Sequence, residues 1–150
     1  DLPFGRGGSP LQNLIANGFD QTVITAFRMT PELDAGPVYL KEMLSLSGLA
    51  EGIYIRASRL SLEMAARIVQ ENIQPQPQQG AVTIFKRRTP EQSEIPGVGT
   101  LERLYDHLRM LDAETYPRAY LLAGGFRYEF SRPALRDGRI EADVTITREE

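Results

Sequence analysis

The sequence predicts an α/β fold in which a sheet-and-helix portion is followed by a small α+β appendage. Three observations carry this. QTVITAFRM (21–29) alternates β-branched or apolar residues with polar ones; SGLAEGIYIRASRLSLEMAARIVQENI repeats its apolar residues at helical spacing; and the last third of the chain holds three short alternating runs separated by glycine turns. With 150 residues, the chain is long enough for one well-buried core plus a small subdomain.

The elements follow in order. DLPFGRGGSP is a glycine-rich loop leading into a short helix, PLQNLIANG (10–18), with Ser9 as its cap, Pro10 in its first turn and Gly18 at its end. QTVITAFRM is a strand, TPELDAGP (30–37) a turn-rich loop, and PVYLKEMLSL a second strand, antiparallel to the first. From Ser47 a long amphipathic helix runs to about residue 72, with Leu49, Ile53, Ala57, Leu60, Met64 and Ile68 as its buried stripe. QPQPQQG then marks a boundary near residue 80. AVTIF is a short strand, followed by the basic and polar segment KRRTPEQSEIPGVG. Thr100 caps a helix over LERLYDHLRMLD whose stripe is Leu101, Leu104, Tyr105, Leu108 and Leu111. AYLLAGG, FRYEFSR and RIEADVTIT close the chain as three strands.

Composition removes several chemistries. There is no cysteine, which excludes disulfides, thiolate metal sites and cysteine nucleophiles. A single histidine argues against a transition-metal site, leaving only carboxylates for a hard cation. Seventeen basic residues against twenty acidic ones give a net charge of −3, which weighs against a large nucleic-acid surface. No apolar run approaches the roughly 20 residues of a bilayer span, and a cytoplasmic location is expected.

Two stretches carry candidate chemistry. In DLPFGRGGSP, Gly5, Gly7 and Gly8 permit close backbone approach, and Arg6 among them can meet an anion; on composition alone the stretch equally reads as a tight turn before a helix. It is neither a dinucleotide fingerprint nor a P-loop. In TPELDAGP, Asp34 stands on a loop between two strands, where a carboxylate is aimed from a fixed scaffold; alone, it also reads as a turn former. Glu32 faces solvent or pairs with Arg28. Lys86–Arg87–Arg88 is either a solvated charge run or, through Arg87 and Arg88, a diphosphate site. His107 lies off the helical stripe among Arg103, Asp106 and Arg109 and reads as a surface residue. Tyr39, Tyr54, Phe85 and Tyr105 read as core packing.

Taken together, GRGGSPLQNLIANGFDQTVITAFRMTPELDAGPVYL resembles the folate-dependent formyltransferase family, which includes methionyl-tRNA formyltransferase and the sugar N-formyltransferases. Leu2, Pro3, Arg6, Gly7, Pro10, Gly18, Thr22, Met29, Leu33, Asp34 and Gly36 fill the family's pattern without a gap. FKRRTPEQSEI and LRMLDAETYPRAYL resemble later segments of its sugar-modifying members. The resemblance implies that residues 1–80 are the C-terminal part of a Rossmann-like sheet domain and 81–150 a short C-terminal subdomain.

It also implies transfer of a formyl group from 10-formyltetrahydrofolate to a primary amine, with Asp34 as the matched catalytic residue. Pro31, Glu32 and Leu33 are then expected at the folate, and Arg6, Gly7, Arg87 and Arg88 at the acceptor. By the family's spacing, its catalytic His and Asn fall two and four residues before Asp1, so this chain by itself is expected to be inactive. The short C-terminal part and mild negative charge favour a nucleotide-linked amino sugar as acceptor over methionyl-tRNA. A non-catalytic binding or assembly module derived from the family is the other reading, and a homodimer stays open. An Asn-x-His directly upstream distinguishes enzyme from module.

Overall fold

A computed structural model describes residues 1–97, 99–114 and 116–149. Val98 and Thr115, which fall within the KRRTPEQSEIPGVG and LRMLDAETYPRAYL segments, lie outside it.

The opening loop holds a strand that its glycines conceal. β1 (Arg6–Gly7) runs parallel to β4 (Ile84–Phe85), and the Thr83 carbonyl accepts from the amides of both Gly5 and Arg6. AVTIF forms a strand only over its last two residues. Gly7 is required there. It sits at φ +108°, and a Cβ on it would collide with the Phe85 carbonyl oxygen.

α1 (Pro10–Ala16) follows, with Pro10 in its first turn. Ser9 precedes it in the left-handed region and makes no side-chain cap. Its hydroxyl instead accepts from the Arg88 amide at 3.1 Å and from Tyr116 Oη at 3.3 Å. β2 (Gln21–Phe27) and β3 (Val38–Ser45) are antiparallel, with Gln21 opposite Ser45 and a register shift at Ala26/Phe27 that ends the ladder before Met29. α2 (Ala50–Gln70) buries Ile53 and Met64 of the expected stripe, about three turns apart, together with Ala50 at its start.

Beyond residue 80 come β4, a 3-10 turn at Pro90–Ser93, α3 (Leu101–Arg109) and three strands. β5 (Tyr120–Ala123), β6 (Phe126–Arg136) and β7 (Arg139–Arg148) form one antiparallel sheet in chain order. Thr100 caps α3 as expected, its Oγ1 accepting from the Arg103 amide at 3.2 Å. The buried side of α3 is rotated from the expected stripe: Leu101 is exposed, whereas His107, Leu108 and Arg109 are buried. His107 is therefore an interior residue, covered by the 3-10 turn. Tyr54 also departs from expectation, standing exposed at the start of α2.

One apolar core runs through both portions. Leu11, Leu14 and Ile15 of α1, Leu44 and Leu46 around the end of β3, and Ile53 of α2 cluster with Leu108, Met110, Leu111 and Ala119. Polar groups cross the same boundary. Gln12 Nε2 donates to the Met110 carbonyl at 3.1 Å, Arg109 Nη1 donates to the carbonyls of Leu46 and Gly48, and the Glu51 amide donates to the Asp112 carbonyl at 3.1 Å.

Candidate active site

The loop between β2 and β3 is pinched at its neck. The Arg28 amide donates to the Pro37 carbonyl at 2.9 Å, and Gly36 lies so close to the Arg28 carbonyl that no side chain fits. This closure fixes where Asp34 stands. Asp34 adopts φ +52°, and its Oδ2 accepts the Gly7 amide at 2.8 Å. Among the described residues Oδ1 has no hydrogen-bond partner.

Asp34 and Gly7 lie at the edge of a cavity of about 440 Å³ whose walls include Leu2, Pro10, Val23, Leu44 and Ile53. A mostly apolar hollow with few polar groups is the usual form of a small-molecule site. Of the two carboxylates that line this one, Asp1 is paired with Lys41 and Asp34 keeps one oxygen open. Pro31, Glu32 and Leu33, just before Asp34, are all exposed.

Arg6 is close by and already engaged. Its Nη2 and Nε donate to Gln78 Oε1 at 2.8 and 3.3 Å, and its Nη1 lies 3.6 Å from Glu32 Oε1. Glu32 thus pairs with Arg6, while Arg28 Nε donates to Tyr39 Oη at 3.4 Å. Gln78 is the site residue that the sequence pattern did not single out, because QPQPQQG reads only as punctuation.

Arg87 and Arg88 do not share the Asp34 cavity. They line a second one of about 580 Å³ with Gly8, Ser9 and Tyr116, and the two hollows have Pro10, Leu11 and Tyr54 in common. Lys86 and Arg87 form no ion pair among the described residues. Four arginines of the last strands behave differently: Arg127 pairs with Glu129, Arg132 with Asp143, and Arg136 and Arg139 with Glu141.

His107 lines a different hollow from Asp34, with Asn17, Arg88, Glu94, Arg103 and Asp106. Its Nε2 lies 3.3 Å from the Ser93 carbonyl. Burial pushes its pKa down, the Ser93 carbonyl opposes this, and the nearby Arg88 adds to it. A neutral imidazole donating to a carbonyl is a structural role. No group of three or more acidic or histidine side chains is placed to hold a metal among the described residues.

Comparison with known proteins meets this geometry. Residues 90–147 match the family model of the methionyl-tRNA formyltransferase C-terminal domain. A solved methionyl-tRNA formyltransferase from Clostridium thermocellum superimposes with a TM-score of 0.96 at 48% identity, over 99% of this chain and 66% of that one. The chain belongs to the formyltransferase family. The methionyl-tRNA formyltransferase of Lactobacillus acidophilus is 29% identical over 135 residues, covering 85% of this chain and 42% of its own length. Like it, the other curated relatives matched along most of the chain are spanned over about half their length, 47% and 50% in two of them.

A sugar N-formyltransferase from a Shewanella species has a TM-score of 0.66 at 20% identity, over 95% of this chain and 56% of that one, and so shares the fold alone. The expected preference for a nucleotide-linked amino sugar is not the one these relatives support; the closer likenesses are to methionyl-tRNA formyltransferases. No helix among the described residues is long and apolar enough to cross a membrane.

Proposed function

We propose that this chain supplies the proton-handling side of a formyl-transfer site, acting on the α-amino group of methionyl-tRNA. The observation that carries the reading is the Asp34 carboxylate, held through one oxygen by the Gly7 amide and left open through the other at the rim of the cavity. The acceptor is chosen by the likeness to methionyl-tRNA formyltransferases.

An ammonium must shed a proton before its nitrogen can attack a carbonyl carbon, and a fixed carboxylate beside it takes that proton directly or through one water. Asp34 orients the acceptor amine with its open oxygen and receives the proton. The cavity's size and apolar walls suit the flat heterocycle of the folate. Pro31, Glu32 and Leu33 do not line it, and their place at the folate rests on the family resemblance alone. When bound, 10-formyltetrahydrofolate supplies the activated formyl carbon. Arg87, exposed one wall away, suits the acceptor's phosphodiesters, since a guanidinium matches phosphate oxygens in pairs. Arg88 stands beside it with its Nη2 already donating to the Gln92 carbonyl. Gly7 contributes the amide that fixes the carboxylate. On this reading residues 1–80 belong to the catalytic domain and 81–150 to the acceptor side, and the protein works in the cytoplasm.

The deciding experiment is an assay of the intact protein with formyl-folate against methionyl-tRNA and a panel of nucleotide-linked amino sugars. Transfer to methionyl-tRNA is expected. Transfer to the sugars alone would reverse the acceptor, and no transfer to any of them would leave a binding module.

A further inference from the structure

Gln78 occupies the Pro/Gln stretch between the two portions of the chain, which the proposed chemistry does not use. Its side chain nevertheless spans the site. Oε1 accepts from Arg6 Nη2 and Nε, and Nε2 donates both its hydrogens, to the carbonyls of Asp34 at 2.7 Å and Gly36 at 2.8 Å. The backbone beside it is laid against the loop in the same way. The Val38 amide donates to the Gln76 carbonyl at 2.7 Å, and the Gln76 amide returns a bond to the Val38 carbonyl at 2.8 Å.

These bonds meet both ends of the contact that holds the carboxylate. Gln78 grips the backbone of Asp34 on one side. On the other it grips Arg6, whose neighbour Gly7 donates to Asp34 Oδ2. Asp34 stands at φ +52°, a conformation that a residue with a side chain keeps when its surroundings impose it. Gly36 makes the neck tight but donates nothing to Asp34. Besides the exposed Glu32, which pairs with Arg6, Gln78 is the side chain that joins the backbone of the loop to the strand that carries Gly7.

We infer that Gln78 is the positioning residue of this site, setting the Asp34 carboxylate by clamping the Asp34–Gly36 backbone to Arg6. The inference rests on the formyl-transfer reading for its consequence in catalysis, but not for its geometry. Two variants separate the parts. Gln78→Glu keeps the size and the acceptor for Arg6 but sets oxygen against two carbonyls; Gln78→Ala removes everything.

Hydrogen exchange at the Gly7 amide of the intact protein reads the Asp34 contact without any turnover. Both variants should speed it by about tenfold or more, while amides in α2 and β6 exchange as before. In the transfer assay kcat should fall by about 10- to 100-fold, and KM for the acceptor should stay within about twofold. Combined with Asp34→Asn, Gln78→Glu should cost no further kcat, since a residue acting through the carboxylate has nothing left to orient.

Unchanged Gly7 exchange in Gln78→Glu overturns the inference, and so does an equal loss of kcat with and without Asp34→Asn. If Gln78→Ala does not fold, Gln78→Glu decides alone. If the wild-type protein transfers formyl to no acceptor, the functional reading falls, and Gly7 exchange still decides whether Gln78 sets Asp34.

Discussion

Asp34 shows how little a residue's neighbours say about its task. Its local sequence, Leu-Asp-Ala-Gly, is that of a turn, yet its carboxylate meets the amide of Gly7, 27 residues away. Asp34→Asn tests that contact cleanly. Asparagine keeps the shape and an oxygen for Gly7 but cannot take a proton, so kcat of the intact protein should fall by about 10²- to 10⁴-fold with little change in unfolding midpoint. Near-normal kinetics would remove Asp34 from the mechanism. His107 makes the opposite point, being polar in sequence and interior in structure. Its pKa is depressed in the fold, chiefly by burial, so above the ordinary histidine value it is neutral folded or unfolded and its contribution is complete. As pH falls through that value the unfolded chain takes up a proton and the folded one does not, and stability is lost down to the folded pKa. Urea unfolding between about pH 7.5 and about pH 5.5 should therefore weaken more steeply in wild type than in His107→Gln. Equal slopes would mean that burial does not hold His107 neutral.

At the level of elements, periodicity was informative and its limits are physical. The spacing of Ile53 and Met64 marks the α2 face because both lie on one side of a 21-residue helix, where period dominates. The three closing strands were legible from alternation and their glycine turns. β1 was not, since two residues have no period, and its pairing with β4 is a long-range event between Arg6 and Ile84. The rotation of α3 was hidden for a related reason: packing against β6 and α1, not the helix's own pattern, decides which side is covered, with the Ser93 carbonyl meeting His107. Of the site, Gly7 and Asp34 were each singled out through the family's spacing but not their bond to one another, and Gln78 gave no signal because its role depends on partners at 6, 34 and 36. Caps are local and were read correctly at Thr100. Thr100→Ala should remove the bond to the Arg103 amide and cost about 1 kcal/mol, lowering the urea midpoint, while Thr100→Ser should restore it. If both variants match wild type, α3 is held by packing alone.

Across the whole molecule, the chemistry-bearing loop and the C-terminal strands are tied through one core and not merely joined by a linker. Arg109 is the clearest tie, buried in α3, paired with Asp106 at 2.7 Å and reaching the carbonyls that lead into α2. Asp112 does the same from the other side. Its carboxylate takes Arg118 and the Arg132 amide, and its carbonyl takes the Glu51 amide. Buried groups of this kind lose partners together, so the portions on either side of residue 80 should unfold together. Leu111 offers the test. It is fully buried in a cluster that includes α1, the end of β3 and the start of α2, and truncating it leaves a cavity against all of them. Leu111→Ala should cost about 2–5 kcal/mol, and amide exchange in α1 and in β6 should accelerate by the same factor, because one opening exposes both. Faster exchange in β6 with α1 unchanged would show instead that the C-terminal portion opens alone, and that the shared core does not couple the portions on either side of residue 80.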